Sequence, residues 1–224
     1  MSSRLSAYLQ PPVLSVTELS AARLDGDLFA IDDGYCSIDE PDTRELRLEI
    51  LSRVVRPSLG ATIAGLSAAW LHGALSTPPA RHEVVIPVQA RGSWHSSSVV
   101  SVRQLVIENA DVTRLGPYGV TTAVRTAVDL ARDHRLSSPG HVALRRLLGS
   151  GTAPPAEVIA WLDAHRRFPG RPRALRSIEA AVDATLPGLD VPVEQAAVSA
   201  ILSSHSAIGG RGDVRPADQP PLTR

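Results

Sequence analysis

ATIAGLSAAWLHGALSTPPARHEVVIP, residues 61–87, places two periodicities side by side. The small apolar residues of 61–75, broken by Gly65 and closed by His72-Gly73, predict a helix. A Pro78-Pro79 turn follows, and the β-branched run Val84-Val85-Ile86, stopped by Pro87, predicts a buried strand. Further on, GVTTAVRTAVDLAR (residues 119–132) predicts a second junction, from strand into helix, with a threonine pair at the seam. Between the two, the alternation of SSSVVSVRQLVI (96–107) predicts a strand, 105–115 a strand or turn, and 115–121 a hairpin. A helix over 40–55, with Leu46, Ile50, Leu51 and Val54 on one face, precedes them. These elements make a small mixed sheet flanked by helices over 44–135. The expected fold class is α+β.

The chain has 224 residues, 43% of them hydrophobic but only 4% aromatic, so its core is built from Ala, Val, Leu and Ile. All 23 basic residues are arginine, as a GC-rich genome would favour, and the net charge is zero. That zero hides a separation. Residues 1–45 carry three arginines against nine acids, a net −6, and residues 121–180 carry ten arginines against five acids, a net +5. One face suited to an anionic partner and another that repels it are implied. The lone cysteine, Cys36, excludes an internal disulfide and a cysteine-based zinc site. No stretch reaches the length of a membrane span and no basic-then-apolar leader opens the chain, so a cytoplasmic protein without membrane contact is expected.

Before the core, SVTELSAARLDGDLFAIDDGYCSIDEPDT (15–43) predicts a helix capped by Ser15 or Thr17 and broken at Asp25-Gly26-Asp27, then a hairpin about Asp32-Asp33-Gly34. Helix then hairpin is the back half of a winged helix, and residues 1–43 read as a curtailed one. After the core, 136–186 is helical throughout: one helix from Pro139, one from Pro154-Pro155 and one from Ala174 to Thr185. Residues 187–224 have a disordered composition, with a helix conceivable only over 191–202.

The runs LSAAWLHG (66–73) and VTTAVRTAVDLA (120–131) together resemble the AbiEi-type antitoxin family of high-GC bacteria. The resemblance covers about residues 15–185. It implies a winged helix-turn-helix at the N-terminus, whose wing ends here in Gly34-Tyr35-Cys36. It also implies an antitoxin-like regulator that binds operator DNA to repress its operon and opposes a nucleotidyltransferase toxin. Longer members continue into an endonuclease-like domain whose acidic cluster is missing after Pro187, so a short or truncated, non-enzymatic member is expected. Two other readings stay open: an inactive remnant of an endonuclease-like protein, and a protein-interaction scaffold.

Chemistry is sparse. His72 at a helix end is expected to cap carbonyls, and the spacing of His72, His82 and His95 fits no metal template. Arg125 and Asp129, four apart, are expected to form a structural ion pair. Gly209-Gly210-Arg211-Gly212-Asp213 lacks the strand and helix of a phosphate loop. Trp70 is expected in the core. The nucleic-acid candidates are Arg166, Arg167, Arg171, Arg173 and Arg176, a loop cluster beside Phe168 offering bidentate phosphate contacts. Arg23 is the single basic residue of a helix next to acidic Asp25, Asp27, Asp32 and Asp33, a poor setting for phosphate. No metal and no cofactor is implied.

Overall fold

Thr62 and Ile63 open the decisive stretch as a strand, β4 (Thr62–Ile63), rather than as the first turn of a helix. The β-branched pair lies mid-sheet, between β5 (His82–Pro87), antiparallel to it, and β8 (Tyr118–Thr121), parallel to it. Gly65 is not an interruption but the first residue of helix α3 (Gly65–Leu71). Its φ of 56° lies in the left-handed region, and an added Cβ would sit 2.5 Å from the Glu83 carboxylate, so glycine suits this strand-to-helix corner.

The computed structural model describes residues 8–11, 13–31, 34–56, 61–88 and 96–184. Among these residues the chain is α+β, with seven α-helices and two sheets. The readings at Asp32 and Asp33, at His95, at Thr185 and over 187–224 lie outside the described residues.

The N-terminal sheet orders its strands β1-β3-β2, from β1 (Tyr8–Leu9), β2 (Leu28–Ile31) and β3 (Gly34–Ser37), all antiparallel. Helix α1 (Val16–Asp25) lies between β1 and β2. It starts on a capping box, Ser15 Oγ accepting from Glu18 N at 3.2 Å while Glu18 Oε2 accepts from Ser15 N at 2.8 Å. It ends at Gly26, φ 87°. One helix and a hairpin extended by a first strand make up this N-terminal part, and the two residues of β1 are too few to show in the sequence.

The larger sheet runs β6-β5-β4-β8-β7, with β6 at Val100–Leu105 and β7 at Val112–Leu115. A 3-10 turn, Asn109–Asp111, leads into β7, so 105–115 is turn and then strand. Helices α2 (Arg44–Ser52), α4 (Ala123–Arg132), α5 (Ser138–Gly149), α6 (Pro155–Ala164) and α7 (Arg171–Asp183) complete the fold. Helix α7 begins three residues before the expected Ala174, because Pro172 in its first turn has no N–H to lose and a φ that already suits a helix. One apolar cluster runs from Tyr8 to Ala181, with Trp70, Ile50, Leu51, Leu144, Leu162 and Ile178 essentially inaccessible. Trp70 is therefore core, as its sequence setting predicts. No helix among the described residues is long and apolar enough to cross a membrane.

Candidate nucleic-acid interface

The arginines of this chain divide into committed and uncommitted sets. The most committed is Arg125. Thr122 caps α4, its Oγ1 accepting from Arg125 N at 3.2 Å, and the Arg125 side chain is buried. Its guanidinium donates to Asp129 Oδ2 at 2.8 Å, to Asp111 Oδ2 at 2.5 Å and to the Val106 carbonyl at 3.1 Å. Its charge also lies 5.3 Å from the Trp161 ring centre and 5.6 Å from that of Phe168. Burial alone would drive the guanidinium toward neutrality, but Asp129 and Asp111 outweigh it and hold the pKa above the usual arginine value. The expected Arg125–Asp129 pair is thus one edge of a buried hub. Asp111 and Trp161 are the members that the sequence did not reveal, since neither stands at a helical spacing from Arg125.

Arg44 and Arg47 were missed as well. Arg47 is buried, pairs with Asp42, and donates to the carbonyls of Trp70 and, at 2.9 Å, Leu75. Arg44 Nε donates to the Leu71 carbonyl at 3.3 Å. These two arginines of α2, rather than His72, satisfy the carbonyls at the end of α3. The 40–55 helix reads with Arg44, Arg47 and Arg53 off its apolar face, but Arg47, one helical turn before Ile50 and Leu51, is buried with them. His72 instead lies with Nε2 2.7 Å from the Thr121 carbonyl and Nδ1 3.3 Å from Arg44 Nη2. With Arg44 only able to donate, Nδ1 accepts and Nε2 carries the proton. Burial first, and the Arg44 charge with it, push the imidazole pKa down against the opposing pull of the Thr121 carbonyl. His72 is a neutral structural group.

The predicted binding residues fall on both sides of the division. Arg171 opens α7 and is spent, its Nε donating to the Leu162 carbonyl at 3.1 Å and its Nη2 pairing with Asp163 at 2.5 Å. Arg166 and Arg167 lie exposed between α6 and α7, and Arg173 and Arg176 are exposed on α7 itself, one helical turn apart. Phe168, beside these arginines in sequence, turns inward over Arg132, 4.7 Å from its guanidinium carbon, and meets Trp161 edge-on. Arg23 is exposed in the last turn of α1, beside Asp25 and Asp27, where its charge suits the helix dipole. Across α5 to α7 and the turns before them, Arg135, Arg145, Arg146, Arg166, Arg167, Arg173 and Arg176 form no ion pair among the described residues.

A cavity of about 240 Å³ opens beside Gly65, walled by Arg103, Asp129, Arg132, Asp133 and His134. Both cations and carboxylates line it, so it favours neither sign of ligand. His82 is buried, with Nδ1 3.1 Å from Ser67 Oγ. No group of three or more His, Cys, Asp or Glu among the described residues is placed to hold a metal ion.

No protein-family model and no curated protein matches this chain. Among solved structures it is similar to the crystal structure of the RV2827C protein from Mycobacterium tuberculosis, with a TM-score of 0.42 and 20% identity. The likeness covers 74% of this chain, which spans only 64% of that protein's length. At that distance it adds nothing to a functional reading.

Proposed function

We propose that this chain is a non-enzymatic, antitoxin-like regulator that binds duplex DNA through the exposed arginines of α7 and of the turn before it. The observation that carries the reading is the uncommitted set: Arg166, Arg167, Arg173 and Arg176 are all exposed and bound to no carboxylate among the described residues. Free guanidiniums gathered in one stretch of chain supply the phosphate contacts from which sequence-independent DNA affinity is built. The wing side of the N-terminal unit offers the reverse charge, with Asp25 and Asp27 exposed. Operator recognition and opposition to a nucleotidyltransferase toxin come from the family resemblance of residues 66–73 and 120–131. Fluorescence anisotropy with labelled duplex from upstream of the chain's own coding region tests the binding. Saturable binding that weakens steeply with salt is expected, and no binding even at low salt would sink the proposal.

A further inference from the structure

We infer that the N-terminal face of one molecule docks on the arginine-bearing α6–α7 face of a second copy of this chain. The N-terminal unit is unusually bare. Of the ten residues of α1 only Leu19 is buried, while Val16 is 64% and Leu24 88% exposed; Ile38, just past β3, is 66% exposed. Ile38 N donates to the Asp27 carbonyl at 3.0 Å and Asp27 N to the Ala22 carbonyl at 2.9 Å, which brings Ile38 to the end of α1 that carries Leu24. Exposed Asp25, Asp27, Asp39 and Glu40 flank these two apolar residues along the chain, and none forms an ion pair among the described residues. An apolar centre flanked by unspent carboxylates is the pattern of a protein interface rather than of a solvated helix.

The chain supplies the complement itself. Exposed Arg166, Arg167, Arg173 and Arg176 are equally unspent, and the same two helices expose Ile159 and Val182. No ion pair within the molecule joins the two faces among the described residues, so both charge sets are available to another copy. Opposite charge on two different faces, with zero net charge on the whole, favours head-to-tail contact over repulsion between molecules. Such a contact is heterologous, so it adds copies in series instead of closing a two-fold dimer.

Sedimentation velocity of the full chain, free of nucleic acid, tests this. Concentration-dependent growth beyond the monomer is expected at about 10 mM salt, and its loss at about 1 M, as the screening length falls from about 30 Å to about 3 Å. Leu24→Ser/Asp25→Asn/Asp27→Asn removes the head, and Arg173→Gln/Arg176→Gln removes the tail; each variant alone should be monomeric. Mixed, they retain one good head and one good tail between them and should give a heterodimer that grows no further. The heterodimer also shows that both variants fold. A wild-type chain that stays monomeric at low salt, or variants that associate as wild type does, would overturn the inferred docking. Because no DNA is present, the result is independent of whether the arginine face binds DNA.

Discussion

Trp161 Nε1 donates a 2.8 Å hydrogen bond to Asp111 Oδ1, joining helix α6 to the turn before β7 across 50 positions of sequence. The other oxygen of that carboxylate holds Arg125. One buried aspartate thus fixes the C-terminal helices to the edge of the sheet, and through them the placement of the arginines on α7.

Asp111→Ala would leave the Arg125 guanidinium with Asp129 as its one carboxylate and strand the Trp161 N–H. Removing one partner of a buried pair costs about 3–5 kcal/mol. Urea unfolding should show a loss of that size. A loss under about 1 kcal/mol would mean that the hub contributes little and that apolar packing alone positions α6.

Trp70 fills the centre of the core at 0% exposure, with the Arg47 guanidinium carbon 5.5 Å from its ring centre. Trp70→Ala should cost about 3–5 kcal/mol, from lost burial and the cavity left behind. Trp70→Phe should cost clearly less. The indole N–H has no hydrogen-bond partner among the described residues, so its removal strands nothing. Equal losses for the two variants, read from the same denaturant curves, would show that the N–H is satisfied after all.

Trp70 and Arg125 mark how far the sequence could be read. Long amphipathic helices and the 84–86 strand were legible because periodicity reports burial, and Ser15, Thr122 and Pro155 marked helix starts because capping is local chemistry. The start of 61–75 misled, since small apolar residues suit a buried strand and a helix alike, and only the pairing of Thr62 and Ile63 with β5 and β8 decides between them. Asp111 was invisible for a related reason. Its partners come from α4 and α6, and residues so far apart along the chain leave no spacing to read. The arginine cluster was legible as composition, but which of its members are free was not. Arg171 is bound because Gly170 turns the chain, φ 85°, and starts α7 beside Asp163.

His72 makes stability depend on pH in a definite direction. Its folded pKa lies below the ordinary 6.5, first through burial and further through Arg44. The unfolded chain therefore takes up the proton first as pH falls. Between about pH 6.5 and the lower folded pKa the unfolded state binds more protons, so stability drops on acidification there by up to about 1.4 kcal/mol per pH unit. His72→Gln, which keeps a donor for the Thr121 carbonyl but cannot titrate, should flatten the stability curve across that window. An unchanged slope from pH 7.5 to 5 would assign the dependence to other groups.

The division of the arginines predicts which of them DNA can feel. Every phosphate that the protein no longer neutralises should reduce the slope of log affinity against log salt by about 0.9. Arg167→Ala/Arg173→Ala/Arg176→Ala removes three exposed, unpaired guanidiniums and should flatten that slope by about 2–3 units while leaving the unfolding midpoint nearly unchanged. Arg171→Ala should do the opposite. It deletes a bond to the Leu162 carbonyl and the pair with Asp163, so it should lower stability while altering the salt slope little. Arg23→Ala should take away at most about one unit, because Arg23 can neutralise a single phosphate. Anisotropy titrations of the variants between about 50 and 200 mM salt separate the cases, since this interval already shifts affinity strongly for a multi-phosphate binder. If the triple variant binds as wild type does while Arg23→Ala abolishes binding, α1 is the reading helix. The acidic residues beside it would then face bases or solvent rather than phosphate, and the arginines of α7 would be left to the docking between copies.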